Sequence, residues 1–192
     1  MNTLIVATHN SHKLREIGQI LPGWDIRGED SGAEETADTF VGNARIKALS
    51  IAPRHPGAWV MADDSGLEVA ALGGEPGVRS ARYAGTDGDA VANNALLLKN
   101  LDGVADRRAQ FTCALVLIDP AGSEHVVTGH CPGRIRLETS GKGGFGYDPL
   151  FEPDGYDRTF AELAPEEKNA ISHRGRALEK VKAIVGSGEG GM

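Results

Sequence analysis

The chain has 192 residues, 40% of them apolar and 24% charged, which suits one globular domain with a buried core and excludes disorder by composition. A formal net charge of −7 argues against an extended nucleic-acid surface, which needs clustered Lys and Arg to displace counterions from phosphates. The two cysteines, Cys113 and Cys131, match neither a zinc pair nor a redox CxxC and read as core thiols.

Thr3 to Thr8 (TLIVAT) is a short continuous apolar run, suited to a strand buried on both faces. His9-Asn10-Ser11 supplies turn and cap chemistry after it, and Leu14, Ile17 and Leu21 recur at helical spacing until Pro22-Gly23. Trp24 to Arg27 is a second strand. Thr39 to Ala52 reads as a helix with a broad apolar surface on which Asn43 and Lys47, four apart, share one face. Val60 to Ala62 and Leu67 to Leu72 are predicted as two strands flanking Asp63-Asp64-Ser65-Gly66, with Ser65 and Gly66 in a tight turn. Strand side chains alternate, so Asp63 and Asp64 point to opposite faces and need separate explanations.

Gly73 to Gly77 is a loop, and Asp89 to Leu101 a helix ended by Asp102-Gly103. Ala109 to Asp119 and Glu124 to Gly129, turned at Pro120-Ala121-Gly122, predict an antiparallel hairpin. A last helix runs from the Glu166-Glu167 region to Val185, followed by a frayed tail from Ser187 to Met192. The amino terminus lacks signal-peptide features and no window approaches the roughly 18 to 20 apolar residues of a bilayer span, so a cytoplasmic protein without a membrane partner is expected. Early strand–helix alternation plus a central hairpin predicts a mixed α/β fold around one long twisted sheet.

Chemistry concentrates in a few stretches. Thr8 to Lys13 is either a plain helix cap or a phosphate site, where unpaired N–H groups and the helix dipole add to the Lys13 charge. Glu34-Glu35 is by default a solvated acidic patch; near Asp64 it would instead hold a hard cation such as Mg²⁺. Gly141 to Pro149 has four glycines in nine residues with Phe145 and Tyr147 between them, the composition of a ligand loop that lets backbone approach closely and a ring stack on a planar base. Lys168, His173 and Arg174 offer donors for a carbonyl or phosphate oxygen.

These blocks together resemble the inosine triphosphate pyrophosphatase family, also called dITP/XTP pyrophosphatases. The matching stretches are Thr8–Lys13, Asp63–Leu67 (DDSGL), Gly73–Tyr83, Gly143–Pro149 (GGFGYDP) and Glu167–Arg174, in order over nearly the whole chain. The sequence departs from the pattern at His9, where many relatives carry Gly, and at Gly42, where an acid is common.

The resemblance implies an elongated α/β mixed-sheet fold with two lobes around a central nucleotide-binding cleft. It also implies a homodimeric, Mg²⁺-dependent enzyme that hydrolyses the purine nucleoside triphosphates ITP, dITP and XTP to the monophosphate and pyrophosphate. By position, Asp64 is implied as general base, and Asp64 with Glu35, or Glu34 in its place, as metal ligands. Thr8, His9, Asn10, Ser11, His12, Lys13, Lys47 and Ser65 would surround the triphosphate. Phe145, Gly146, Tyr147, Asp148, Lys168, His173 and Arg174 would hold base and sugar. Asp63 is expected to be structural. Asp63-Asp64-Ser65 lacks the Asp-X-Asp spacing of haloacid-dehalogenase-type phosphatases, and the REXXEE of Nudix hydrolases is absent; a nucleotide sensor without turnover is the reading from another class.

Overall fold

The computed structural model describes residues 2–187; of the frayed tail expected from Ser187, Ser187 is the last residue of a helix and residues 188–192 lie outside the described ones. Among the described residues the chain forms an α/β fold around a six-stranded mixed sheet of order β2-β1-β3-β4-β5-β6. β1 (Asn2–Ala7) lies parallel to β2 (Trp24–Glu29) and to β3 (Trp59–Val69). β4 (Arg108–Ile118) and β5 (Glu124–Ile135) are joined by a turn closed by the Asp119–Ser123 backbone hydrogen bond, and β5 pairs antiparallel with the short β6 (Phe151–Pro153). The helices are α1 (Ser11–Ile20), α2 (Phe40–Ile51), α3 (Ala90–Asn100), α4 (Pro165–Ile171) and α5 (His173–Ser187). No helix among the described residues is long and apolar enough to cross a membrane.

Caps set the helix starts where the sequence places them. Asn10 accepts from the His12 and Lys13 N–H groups, Thr39 from Gly42 and Asp89 from Ala92, each satisfying donors that a first helical turn leaves open.

Two compact units are distinguished: Met1–Asp64 with Cys113–Gly129 and Arg174–Met192, and Ser65–Thr112 with His130–His173. In the first, strand alternation divides the core in two. Leu4, Val6, Met61, Cys113, Leu115 and Leu117 pack with Ile17 and Ile20 of α1 and Leu178 and Val181 of α5. Ile5, Ala7, Val60, Ala62, Val116 and Ile118 pack with Ala44, Ala48 and Ile51 of α2. Continuous apolar strands follow from having helices on both faces. The second unit has its own core, in which Leu67, Val69, Phe111, Phe151 and Phe160 meet Leu97 of α3 and Leu101 just after it.

Two expectations are corrected. The segments on either side of Asp63–Gly66 are one strand, β3, that ends at Val69, with Ala70–Leu72 as a 3-10 turn. Gly66 is not among the positive-φ glycines, so there is no tight turn, and the Asp63 charge that suggested a strand end is neutralised inside the fold by basic partners. The single last helix is two helices, because Ser172 is extended at φ −67° and ψ 158° between α4 and α5. The second hairpin strand also continues past Gly129 to Ile135.

Candidate active site

The two adjacent carboxylates of β3 do different work, as alternation requires. Asp63 is fully buried on the α1/α5 side, where it accepts from Lys13 Nζ, from Arg174 Nε at 2.8 Å and from Cys113 Sγ at 3.3 Å. Burial alone would raise its pKa, but the Arg174 and Lys13 charges hold it well below the ordinary carboxylate range. Arg174, 1% exposed, is itself committed to Asp63 and to Glu16, and those carboxylates outweigh burial to keep it charged. The Cys113 thiol is pushed up by burial and by Asp63.

Asp64 faces the α2 side. Lys47 Nζ stands 3.5 Å from its Oδ1, and its buried Oδ2 accepts no hydrogen bond among the described residues. Burial pushes its pKa up to about 6; Lys47 pulls it down, Glu35 adds repulsion, and Lys13 and Asp63 follow with opposite signs. Lys47 Nζ also donates to the Asp63 carbonyl at 2.9 Å and pairs with Glu35 at 2.8 Å. Burial works against the ammonium, yet Asp64, Glu35 and Asp63 together raise its pKa, so Lys47 stays a cation between two carboxylates. α2 delivers Lys47 to this point from its buried face, four residues beyond Asn43, whose Oδ1 accepts from the Ala37 N–H.

Asp64 and Glu35 fit a hard cation. Mg²⁺ takes one or two carboxylates and completes its shell with water and phosphate oxygens, and an unsatisfied buried carboxylate oxygen is a donor of that kind. Among the described residues no group of three or more His, Cys, Asp or Glu is gathered for a metal. Glu34 is exposed and Glu35 is the residue drawn to Lys47.

The turn from β1 to α1 is well capped. Thr8 Oγ1 accepts from the Asn10 N–H at 3.1 Å, and Asn10 Oδ1 accepts from His12 and Lys13. His9, Ser11 and His12 are exposed, with His9 Nδ1 3.9 Å from Asp30. Ser65 is the first residue of the second unit.

That unit carries the Gly141–Pro149 loop. Asp148 is its organiser: Oδ2 accepts from the Phe145 N–H at 2.9 Å and from Lys168 Nζ at 2.7 Å, both partners being buried to more than nine-tenths for the ion pair. Gly144, at φ +68°, lies so close to the Asp148 carboxylate that any Cβ would overlap it. Gly146 O accepts from Asn94 Nδ2 at 3.0 Å. Lys168 Nζ lies 5.0 Å from the half-buried Phe145 ring. Tyr147 is a core residue instead of an exposed ring, its hydroxyl donating to Ser80 O at 2.8 Å. His173 is buried with its ring stacked on Phe111.

Of the residues expected at the triphosphate and the metal, Lys47 lies between Asp64 and Glu35 at β3, while Lys13 pairs with Asp63 on the other face of that strand. Sequence reasoning did not single out Glu16, Phe111 or Asn94. Each is an ordinary helix or strand residue by pattern, and only the fold brings it to a partner.

The Ham1 family profile matches residues 4–184. A dITP/XTP pyrophosphatase of Desulforamulus reducens is 48% identical over 191 residues, covering 95% of this chain and 94% of that protein. Another, from Leifsonia xyli, is 49% identical over 193 residues, covering 96% of each. The solved structure of a Ham1 protein from Coxiella burnetii matches with a TM-score of 0.85 at 40% identity, over 97% of this chain and 100% of that one. A nucleoside-triphosphatase/dITP/XTP pyrophosphatase from Mycobacterium abscessus gives 0.73 at 45%, over 93% and 98%. The chain belongs to the Ham1 family.

Proposed function

We propose that the protein hydrolyses the non-standard purine nucleoside triphosphates ITP, dITP and XTP to the monophosphate and pyrophosphate. The observation that carries this reading is Asp64: a buried carboxylate with an unsatisfied oxygen and a pKa of about 6, beside Lys47 and Glu35, in a chain almost half identical to dITP/XTP pyrophosphatases. A carboxylate whose pKa stands near the working pH is matched to proton abstraction.

A nucleoside triphosphate carries about four negative charges, so attack at phosphorus depends on positioning and charge neutralisation. Lys47 and Lys13 supply cationic charge on either side of β3, Lys47 next to Asp64 and Lys13 at the start of α1 with the capped Thr8–His12 turn. Asp64 orients a water towards the α-phosphorus and takes its proton. Mg²⁺, held by Asp64 and Glu35, would supply charge neutralisation for the phosphates and the leaving pyrophosphate. Ser65 belongs to the same phosphate end.

The base end is assigned to the second unit's Phe145–Asp148 loop with Lys168 and His173. Donors there would donate to a 6-keto oxygen and meet the amino group of adenine donor to donor, a mismatch that costs about 1–3 kcal/mol or more per unpaired group. Arg174, directly after His173 in the chain, completes that set of donors in the reading and is held by its buried pair with Asp63. The reading carries with it a single cytoplasmic domain acting as a homodimer with a cleft for the nucleotide, for which light scattering at twice the chain mass is the first check.

The decisive assay incubates the protein and Mg²⁺ with ITP, XTP, dITP, ATP and GTP in ¹⁸O-water. Pyrophosphate is expected from the first three, with ATP and GTP largely spared and the label in the monophosphate, as attack at the α-phosphorus demands. Orthophosphate as the first product, label in pyrophosphate, or binding without turnover overturns the proposal.

A further inference from the structure

Phe111 of β4 is the hub of a buried aromatic cluster in the second unit. Its ring stacks face to face on the His173 imidazole, with centroids 4.6 Å apart and planes 10° from parallel. On Phe160 it stacks at 5.8 Å and 9°, and it meets the Phe151 ring edge-on at 4.7 Å and 64°. Lys168 Nζ lies 5.6 Å from the Phe160 centroid. Phe111 and His173 are both more than nine-tenths buried. Two of the residues assigned to the purine, His173 and Lys168, thus lie against rings of this cluster.

We infer that Phe111 is a positioning residue for purine selectivity, fixing the plane of the His173 imidazole and with it the direction in which the ring N–H meets the base. The inference rests on the nucleotide reading above. An imidazole's second side-chain torsion is broad, and its N–H groups lie in the ring plane, so the plane decides where the donor points. Hydrogen bonds weaken steeply once bent below about 120°, so a donor with an unset plane discriminates poorly between a keto oxygen and an amino group. Stacking on Phe111 removes that freedom without occupying either ring nitrogen. A flexible aliphatic side chain of similar bulk would fill the same space without the flat face that holds the imidazole plane.

The test compares kcat/KM for ITP and for ATP in the wild type, Phe111→Met, Phe111→Tyr and Phe151→Met. Phe151→Met removes an equally buried ring from the cluster while leaving the Phe111–His173 stack in place. For Phe111→Met the ITP value falls about tenfold, mainly through KM, while the ATP value holds, so the ratio drops about tenfold. Phe111→Tyr retains the wild-type ratio, and Phe151→Met changes both substrates by the same factor. Where the methionine variant fails to fold, Phe111→Leu serves the same comparison. An unchanged ratio in the Phe111 variant that folds, or an equal loss of ratio in Phe151→Met, overturns the inference. A wild-type protein inactive on ITP sinks the nucleotide reading instead.

Discussion

Asp63 and Asp64 are chemically identical neighbours that the fold drives in opposite directions, and the sign of each shift makes a separate prediction. Asp64 has a folded pKa of about 6 against an ordinary 3.8, so the native state holds its proton more tightly than the unfolded chain. Stability therefore falls as pH rises from about 4 to about 6 and stays lowered above that range. Asp64→Asn removes the charge, and we expect turnover to drop by at least a hundredfold while stability at pH 7.5 rises by about 1–3 kcal/mol. A urea melt in which the variant is no more stable than wild type would contradict the burial argument. Asp63 runs the other way: its depressed pKa contributes stability above the ordinary value that is lost as pH falls through the folded one. Asp63→Asn strands a buried Arg174, and a loss of about 3–5 kcal/mol is expected by the same urea melt. A loss below about 1 kcal/mol would mean that Glu16 alone satisfies the guanidinium.

At the scale of elements, the sequence was legible wherever local chemistry decides. Asn10, Thr39 and Asp89 cap the helices they announce, and the turn at Pro120-Ala121-Gly122 joins the two strands it separates. Where partners from distant segments decide, it was not. Asp63 looked like a strand end because its neutralisation comes from Lys13 and Arg174, 50 and 111 residues away, and β6 is too short to announce itself. β6 docks where β5 carries Gly133, opposite Pro153. A Cβ at 133 would overlap the Glu152 carbonyl oxygen and crowd the Phe151 ring. Gly133→Ala is thus expected to destabilise the protein by about 1–3 kcal/mol and to expose the β6 amides in hydrogen exchange. Wild-type exchange at Phe151 and Glu152 in that variant would show that the two strands stay paired despite the added methyl group.

Across the whole molecule, the mixed α/β class followed from strand–helix alternation and the hairpin, and the family from five ordered motifs. Candidate site residues could be named from the sequence, but their burial and pairing could not. Period-2 alternation separated the roles of Asp63 and Asp64 before any coordinates, but Tyr147 read as a ligand ring and is a core ring, because glycine-rich composition cannot say which aromatic turns inward.

The two cysteines, which take no part in the proposed chemistry, acquire a use from their placement. Cys113 lies in the core of the first unit and Cys131 in that of the second, both free thiols and both buried. A small alkylating reagent can reach each one when its own surroundings open. With one cysteine replaced at a time, the modification rate of the other becomes a clock for the opening of a single unit, so a ligand's protective effect can be assigned to the half of the protein that it steadies.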